Sequence, residues 1–163
     1  MTARELVGGW RYLTWEITYP DGRVTHPFGT DATGFILYTA DGFMSANIMA
    51  GGRAAFPSGN PRRASDAERA RAFDGYFSYA GRWRLEGGKI LHDVEVALNP
   101  AFVGVRQWRD PVLSRDAAGT STLSLSAAES SVEGGRVHRI LWQRVAPTAI
   151  ADARPDDRPD DRR

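Results

Sequence analysis

Glycine and proline interrupt this chain at short, recurring intervals, and that punctuation limits the folds open to it. Turn formers cluster at Pro20-Asp21-Gly22, Ala40-Asp41-Gly42, Gly51-Gly52, Gly87-Gly88, Asn99-Pro100 and Gly134-Gly135. The stretches between them are rich in β-branched and aromatic residues: 10–19, 34–39, 43–49, 79–85, 90–98, 103–108, 122–126 and 137–145. Asp-Gly and Gly-Gly pairs between such runs signal tight hairpins, whose central residues need backbone angles that glycine reaches without a Cβ clash. About eight or nine short strands joined in sequence order predict an all-β fold, an antiparallel meander closed as an up-and-down barrel or packed as a sandwich.

One segment departs from this pattern. Ser65-Asp66-Ala67-Glu68 is a capping box, in which the hydroxyl and the carboxylate each satisfy a backbone N–H left open at a helix start. Ala67, Ala70 and Ala72 follow, and Gly75 supplies a stop, so one short helix is expected over about 66–75, with a strand from about 78. The composition breaks again at Ala146. Residues 152–163 hold five Asp and four Arg in a tandem Arg-Pro-Asp-Asp pattern and no residue able to anchor in a core. The chain therefore divides into a domain over 1–145 and a disordered charged tail over 146–163.

Composition removes several function classes. Twenty-one basic residues face 20 acidic ones, which gives no electrostatic reason to expect nucleic acid or an anionic membrane as partner. The absence of cysteine excludes disulfides, thiolate nucleophiles and cysteine-held metal or iron–sulfur sites. Lys89 is the sole lysine and lies in a turn, so amine chemistry has little to work with. Three histidines without metal-ligand spacing point to no metal, and the missing Gly-x-Gly-x-x-Gly and P-loop patterns point to no nucleotide cofactor. The apolar runs are too short to span a bilayer, and Arg4 and Glu5 near the start are unlike a signal peptide, so a cytoplasmic bacterial protein is expected.

Strand alternation then assigns faces. Ile90, His92, Val94, Val96 and Leu98 share one face, with His92 its single polar member. His138, Ile140, Trp142 and Arg144 share a face of the last strand. In the first strand Leu13, Trp15, Ile17 and Tyr19 alternate together, while Trp10 has the opposite parity; a bulge near Tyr12 turns both tryptophans inward. The 17 aromatic residues either fill this interior or line a cavity, and a barrel of about eight strands is wide enough for one small ligand.

These residues resemble those of a known family. Gly8-Gly9-Trp10 matches the Gly-x-Trp signature of lipocalins. More specific is a series shared with bacterial and fungal lipocalin-like domain proteins: His26-Pro27-Phe28-Gly29, then Tyr38-x-x-Asp41-Gly42-x-Met44-Ser45-Ala46, Phe73-x-Gly75-Tyr76, His92 with Glu95, Asn99-Pro100, Gln107-x-Arg109 and His138-Arg139-x-x-Trp142. The resemblance covers about 6–145. It implies a small antiparallel barrel whose base is closed by Trp10 under an arginine of the last strand, Arg144 or Arg139, and whose cavity takes a small hydrophobic molecule. It fixes no activity, although similar barrels act as cofactor-free cyclases or isomerases in natural-product biosynthesis.

Within that frame His92 and His138 are the candidate catalytic groups, since imidazole titrates near neutral pH. Tyr38, Tyr79, Gln107, Arg109 and Trp142 are the candidate ligand contacts. An inward Arg109 needs a partner, either a ligand carboxylate or enolate or a carboxylate such as Asp93 or Glu95. His26, before Pro27, reads as a turn residue. The glycine-laced run 44–61 suggests a lid over the barrel mouth. Three readings remain open: binding of an aromatic or polyketide-like molecule, cofactor-free cyclisation or isomerisation in the same cavity, and a filled barrel with a structural role. A homodimer is compatible with each.

Overall fold

The computed structural model describes residues 1–129 and 135–147. A short helix α1 (Ala3–Leu6) leads into β1 (Gly8–Thr18), and β2 (Val24–Thr25) adds a brief outer pairing to the end of β1. There follow β3 (Thr33–Tyr38), β4 (Phe43–Met49), helix α2 (Asp66–Asp74), β5 (Tyr76–Glu86), β6 (Lys89–Ala97), β7 (Arg106–Arg115), β8 (Ser121–Glu129) and β9 (Arg136–Arg144). From β3 onward each strand pairs antiparallel with the next, and β1 pairs with both β3 and β9. The eight strands β1 and β3–β9 thereby close into a barrel, with β2 outside the ring. No helix among the described residues is long and apolar enough to cross a membrane.

The helix and the expected turns lie where the sequence puts them, apart from Gly134-Gly135, of which Gly134 lies outside the described residues. Ser65 accepts from the Glu68 N–H while the Glu68 carboxylate takes the Ser65 N–H at 2.7 Å, and the Gly75 N–H closes the helix on the Arg71 carbonyl. The following strand starts at Tyr76, two positions earlier than expected. The first third of the lid expected over 44–61 is strand, because residues 43–49 alternate buried and exposed side chains between β3 and β5. The tail expected over 146–163 lies, beyond Pro147, outside the described residues.

Bulges redirect two strands, and a third starts late. The β1–β9 register shifts between Tyr12 and Thr14, so Trp10, Tyr12, Trp15 and Ile17 all point inward and Leu13 points out. The β5–β6 register skips Glu95, which turns Val96 to solvent, contrary to simple alternation, and brings Ala97 against the core. Gly81 makes this approach feasible, since a Cβ there would stand 2.0 Å from the Asp93 carbonyl oxygen. The expected strand 103–108 begins only at Arg106, after a turn closed by Phe102, and runs on through Pro111. Proline is tolerated there because β7 keeps its β8 partner at that point while its pairing with β6 ends at Arg109.

One end of the barrel is closed. Leu6 of α1 is fully buried, and the Trp10 indole N–H donates to its carbonyl at 2.9 Å. Arg144, paired with Trp10 across β1 and β9, lays its guanidinium 4.0 Å from the Trp10 ring and donates to the carbonyls of Val7 and Glu5. Arg144 thus holds the base, whereas Arg139 lies on the outward parity and reaches Ser124. Above this base Tyr38 packs on Trp83 and Tyr12 on Trp142, and the tight turns joining β3–β4, β5–β6 and β7–β8 all lie at this end.

Candidate functional site

The opposite half of the barrel is hollow. A cavity of about 400 Å³ is walled by residues of β1, β3–β5 and β7–β9, with Phe102 closing in from the turn before β7. That is on the order of a dozen water volumes and within the range of small-molecule pockets. Its two sides differ in chemistry. Ile36, Ala46, Ile48 and Phe77, from β3, β4 and β5, form an apolar side. Gln107 and Arg109 of β7, Glu129 of β8, and Arg136 and His138 of β9 form a polar one.

Glu129 ties the polar side together. Its carboxylate accepts from Arg136 Nε at 2.6 Å and lies 2.9 Å from His138 Nε2. The Trp15 indole N–H, which can only donate, points at His138 Nδ1 at 3.2 Å. Nδ1 is therefore the acceptor and Nε2 carries the proton offered to Glu129, which fixes the tautomer. Trp15 is itself held by stacking on Phe28 at 5.5 Å and by an edge contact with Phe77 at 5.2 Å. Phe28 arrives on the turn His26-Pro27-Phe28-Gly29, closed by the Gly29 N–H on the His26 carbonyl; His26 belongs to that turn and not to the cavity wall.

His92 occupies a different layer. It is fully buried, below the cavity wall, with Nε2 2.9 Å from the Tyr38 hydroxyl and Nδ1 2.9 Å from the Tyr79 hydroxyl. A neutral imidazole has one donor and one acceptor nitrogen, so both are used. Burial holds the His92 pKa well below its ordinary value, with the Arg109 cation adding to the effect. Burial also pushes both tyrosines up; Arg109, close to the Tyr79 hydroxyl, opposes part of that shift in Tyr79. Of these three side chains Tyr79 alone reaches the cavity, so the row Tyr38–His92–Tyr79 ends at its wall.

Arg109 faces the interior beside Gln107, opposite Ile90 and His92 of β6. Its Nη1 donates to the Gln107 side-chain carbonyl at 3.1 Å and to the Trp108 carbonyl at 2.9 Å. The carboxylates weighed as its partners are engaged outside: Asp93 with Arg84 at 2.7 Å and Arg106 at 3.2 Å, and Glu95 with Arg82 at 3.6 Å. Trp142 lies in the floor, between the filled and hollow halves.

The structure thus gathers Tyr79, Gln107, Arg109, His138 and Trp142 at one cavity and sets Tyr38 and His92 behind it. Sequence reasoning missed Glu129, Arg136 and Trp15 as members of the wall. The signal for Glu129 was its parity with Leu123 and Leu125, obscured because Ala127-Ala128 ended the expected strand early. The loop after β4 contributes nothing to this wall. Among the described residues no group of three acidic or histidine side chains is arranged to hold a metal ion.

No curated protein matches the sequence. A family profile described as the lipocalin-like domain matches residues 7–145, from the start of β1 to the end of β9. With that match over most of the chain, and with a closed antiparallel barrel plugged at one end and hollow at the other, the chain belongs to the lipocalin-like domain family.

Proposed function

We propose that the barrel binds a small, mostly apolar molecule, aromatic or polyketide-like, in the cavity between β3–β5 and β7–β9. The observation that carries this reading is the hollow itself. A barrel with a purely structural role would fill this space with side chains, because protein interiors pack to crystal-like density. Here small residues, Ala46 and Ala127, stand where large ones would close it. Each 100 Å² of apolar ligand surface buried contributes roughly 2.5 kcal/mol. The test is titration with the neutral probe N-phenyl-1-naphthylamine, read by its emission and by quenching of tryptophan, since Trp15 and Trp142 both touch the cavity. Saturable binding lost in Ala46→Phe supports the proposal; no binding, or binding indifferent to that substitution, overturns it.

A second reading, cofactor-free cyclisation or isomerisation, is favoured by the contact between Glu129 and His138 on the wall. In that reading a substrate proton passes to His138 Nδ1 in place of the Trp15 contact, and Glu129 stabilises the imidazolium that forms. Tyr79, backed by His92, offers a second hydroxyl at the opposite side of the site. His138→Gln would then abolish turnover and leave probe affinity within about twofold; unchanged turnover would remove His138 from the chemistry.

A further inference from the structure

The charges on the cavity wall do not balance. Two guanidinium groups, Arg109 and Arg136, face one carboxylate, Glu129, and Glu129 is engaged by Arg136 and His138. Among the described residues no carboxylate lies within 4.0 Å of Arg109. The acidic residues nearest its strand are all held by cations on the barrel exterior, Asp93 by Arg84 and Arg106, Glu95 by Arg82, and Asp110 by Lys89 at 2.6 Å. Arg109 is half-buried, so its charge is only partly solvated at the cavity face, and an anion brought into the cavity would supply the partner that the wall lacks.

The remaining donors converge on the same place. Nη1 is occupied by two carbonyl oxygens, and the other contact of the guanidinium is with the Tyr79 hydroxyl, so among the described residues no carboxylate takes the fork that suits two oxygens of one anion. Gln107 has its carbonyl turned to Arg109, and its amide nitrogen donates to no partner among the described residues. The Tyr79 hydroxyl adjoins Arg109 on the other side. Across the cavity stand Ile36, Ala46, Ile48 and Phe77, none of which can solvate a charge.

From this juxtaposition of one uncompensated arginine, two neutral donors and a facing apolar wall, we infer that the ligand is a hydrophobic carboxylic acid. Its carboxylate sits on Arg109 with Gln107 and Tyr79, and its ring or chain lies against β3–β5. This inference rests on the cavity-binding reading above and specifies the ligand class for the same site. It also assigns Arg109 as the residue that selects acids over neutral molecules of equal shape.

The test compares 2-naphthoate with 2-naphthamide, which share a ring system and differ in charge, by tryptophan quenching at pH 7. The wild-type protein is expected to favour the naphthoate by at least about tenfold. Arg109→Gln should remove that preference by weakening the naphthoate alone, leaving naphthamide within about twofold, and Arg109→Lys should retain part of it. A measurement on the unaltered protein adds independent support: naphthoate affinity should fall as pH drops through the probe's own carboxyl pKa, with naphthamide flat over the same range. Equal binding of the two probes by the wild type, or a preference that survives Arg109→Gln, overturns this inference alone. Failure of both probes to bind the folded protein overturns the cavity reading as well.

Discussion

The two halves of the barrel use the same kinds of residue to opposite ends. At the closed end Trp10, Tyr12, Tyr38 and Trp83 interlock, and the polar atoms of three of them are bonded within the fold: Trp10 N–H to the Leu6 carbonyl, Trp83 N–H to the Thr39 carbonyl, Tyr38 to His92. At the open end Trp15, with Phe28 stacked on it, and Phe77 are as aromatic, but Trp15 and Phe77 border a space that polar groups also face. Aromaticity is therefore not what makes a site here. The difference is whether each level of the barrel receives enough side-chain volume to fill it. The closed end carries rigidity and supports the hollow end, where alanines leave room.

That contrast can be broken most severely at the base. Trp10→Ala removes a fully buried indole, its hydrogen bond to α1 and the platform under Arg144, and should cost about 3–5 kcal/mol in denaturant unfolding. A loss below about 1 kcal/mol would mean that the closed end is not the stabilising half. His92→Leu comes next, at about 1–3 kcal/mol, because it strands the buried Tyr38 hydroxyl and takes one of two partners from the Tyr79 hydroxyl.

The same histidine gives the pH dependence a sign. His92 is held neutral in the fold, with its pKa depressed below the ordinary 6.5, so the unfolded chain takes up a proton that the folded chain refuses. Stability from this residue is intact above pH 6.5 and falls as pH drops below it, by up to about 1.4 kcal/mol per unit until the folded-state pKa is reached. The stability gap between wild type and His92→Leu should accordingly narrow on acidification. A gap that stays constant from neutral pH to pH 5 would show that His92 is not the group responsible.

In the hollow half the effects should fall on binding and not on folding. Ala46→Phe, which fills the cavity, should shift stability by less than about 1.5 kcal/mol and weaken probe binding at least tenfold. Were its cost as large as that of Trp10→Ala, the two halves would be equally tightly packed. The smallest effect is expected outside the barrel wall. Arg84→Ala removes exposed contacts with Glu86 and Asp93 and should leave the denaturation midpoint almost unchanged, with any difference diminishing as salt is added.

Much of the fold was legible in local signals. Ser65 and Glu68 marked the helix, the turn pairs marked the hairpins, and the parity clash between Trp10 and Trp15 marked the bulge in β1. The second bulge, at Glu95, was not legible, because Val96 and Leu98 continue the apolar alternation that the structure abandons. Its cause is non-local: β6 must pass Gly81 of β5 at a distance no Cβ would allow. At the site, facing was readable for His138, Gln107, Arg109 and Trp142. What sequence could not separate was a residue lining a cavity from a residue behind its wall, and His92 with Tyr38 stand in the second position.

The sequence by itself determined the meander, the order of its strands, its helix and the inward face of most strands, since each depends on neighbours a few residues apart. The tertiary structure decided which arginine holds the base, which carboxylate joins His138, and that half the barrel stays empty. Those outcomes depend on residues far apart in the chain. Glu5 and Val7 meet Arg144, and Glu129 meets His138, only once the barrel is closed. Whether a level of the barrel is full is a balance of volumes contributed by every strand at that height, and no single stretch of sequence contains it.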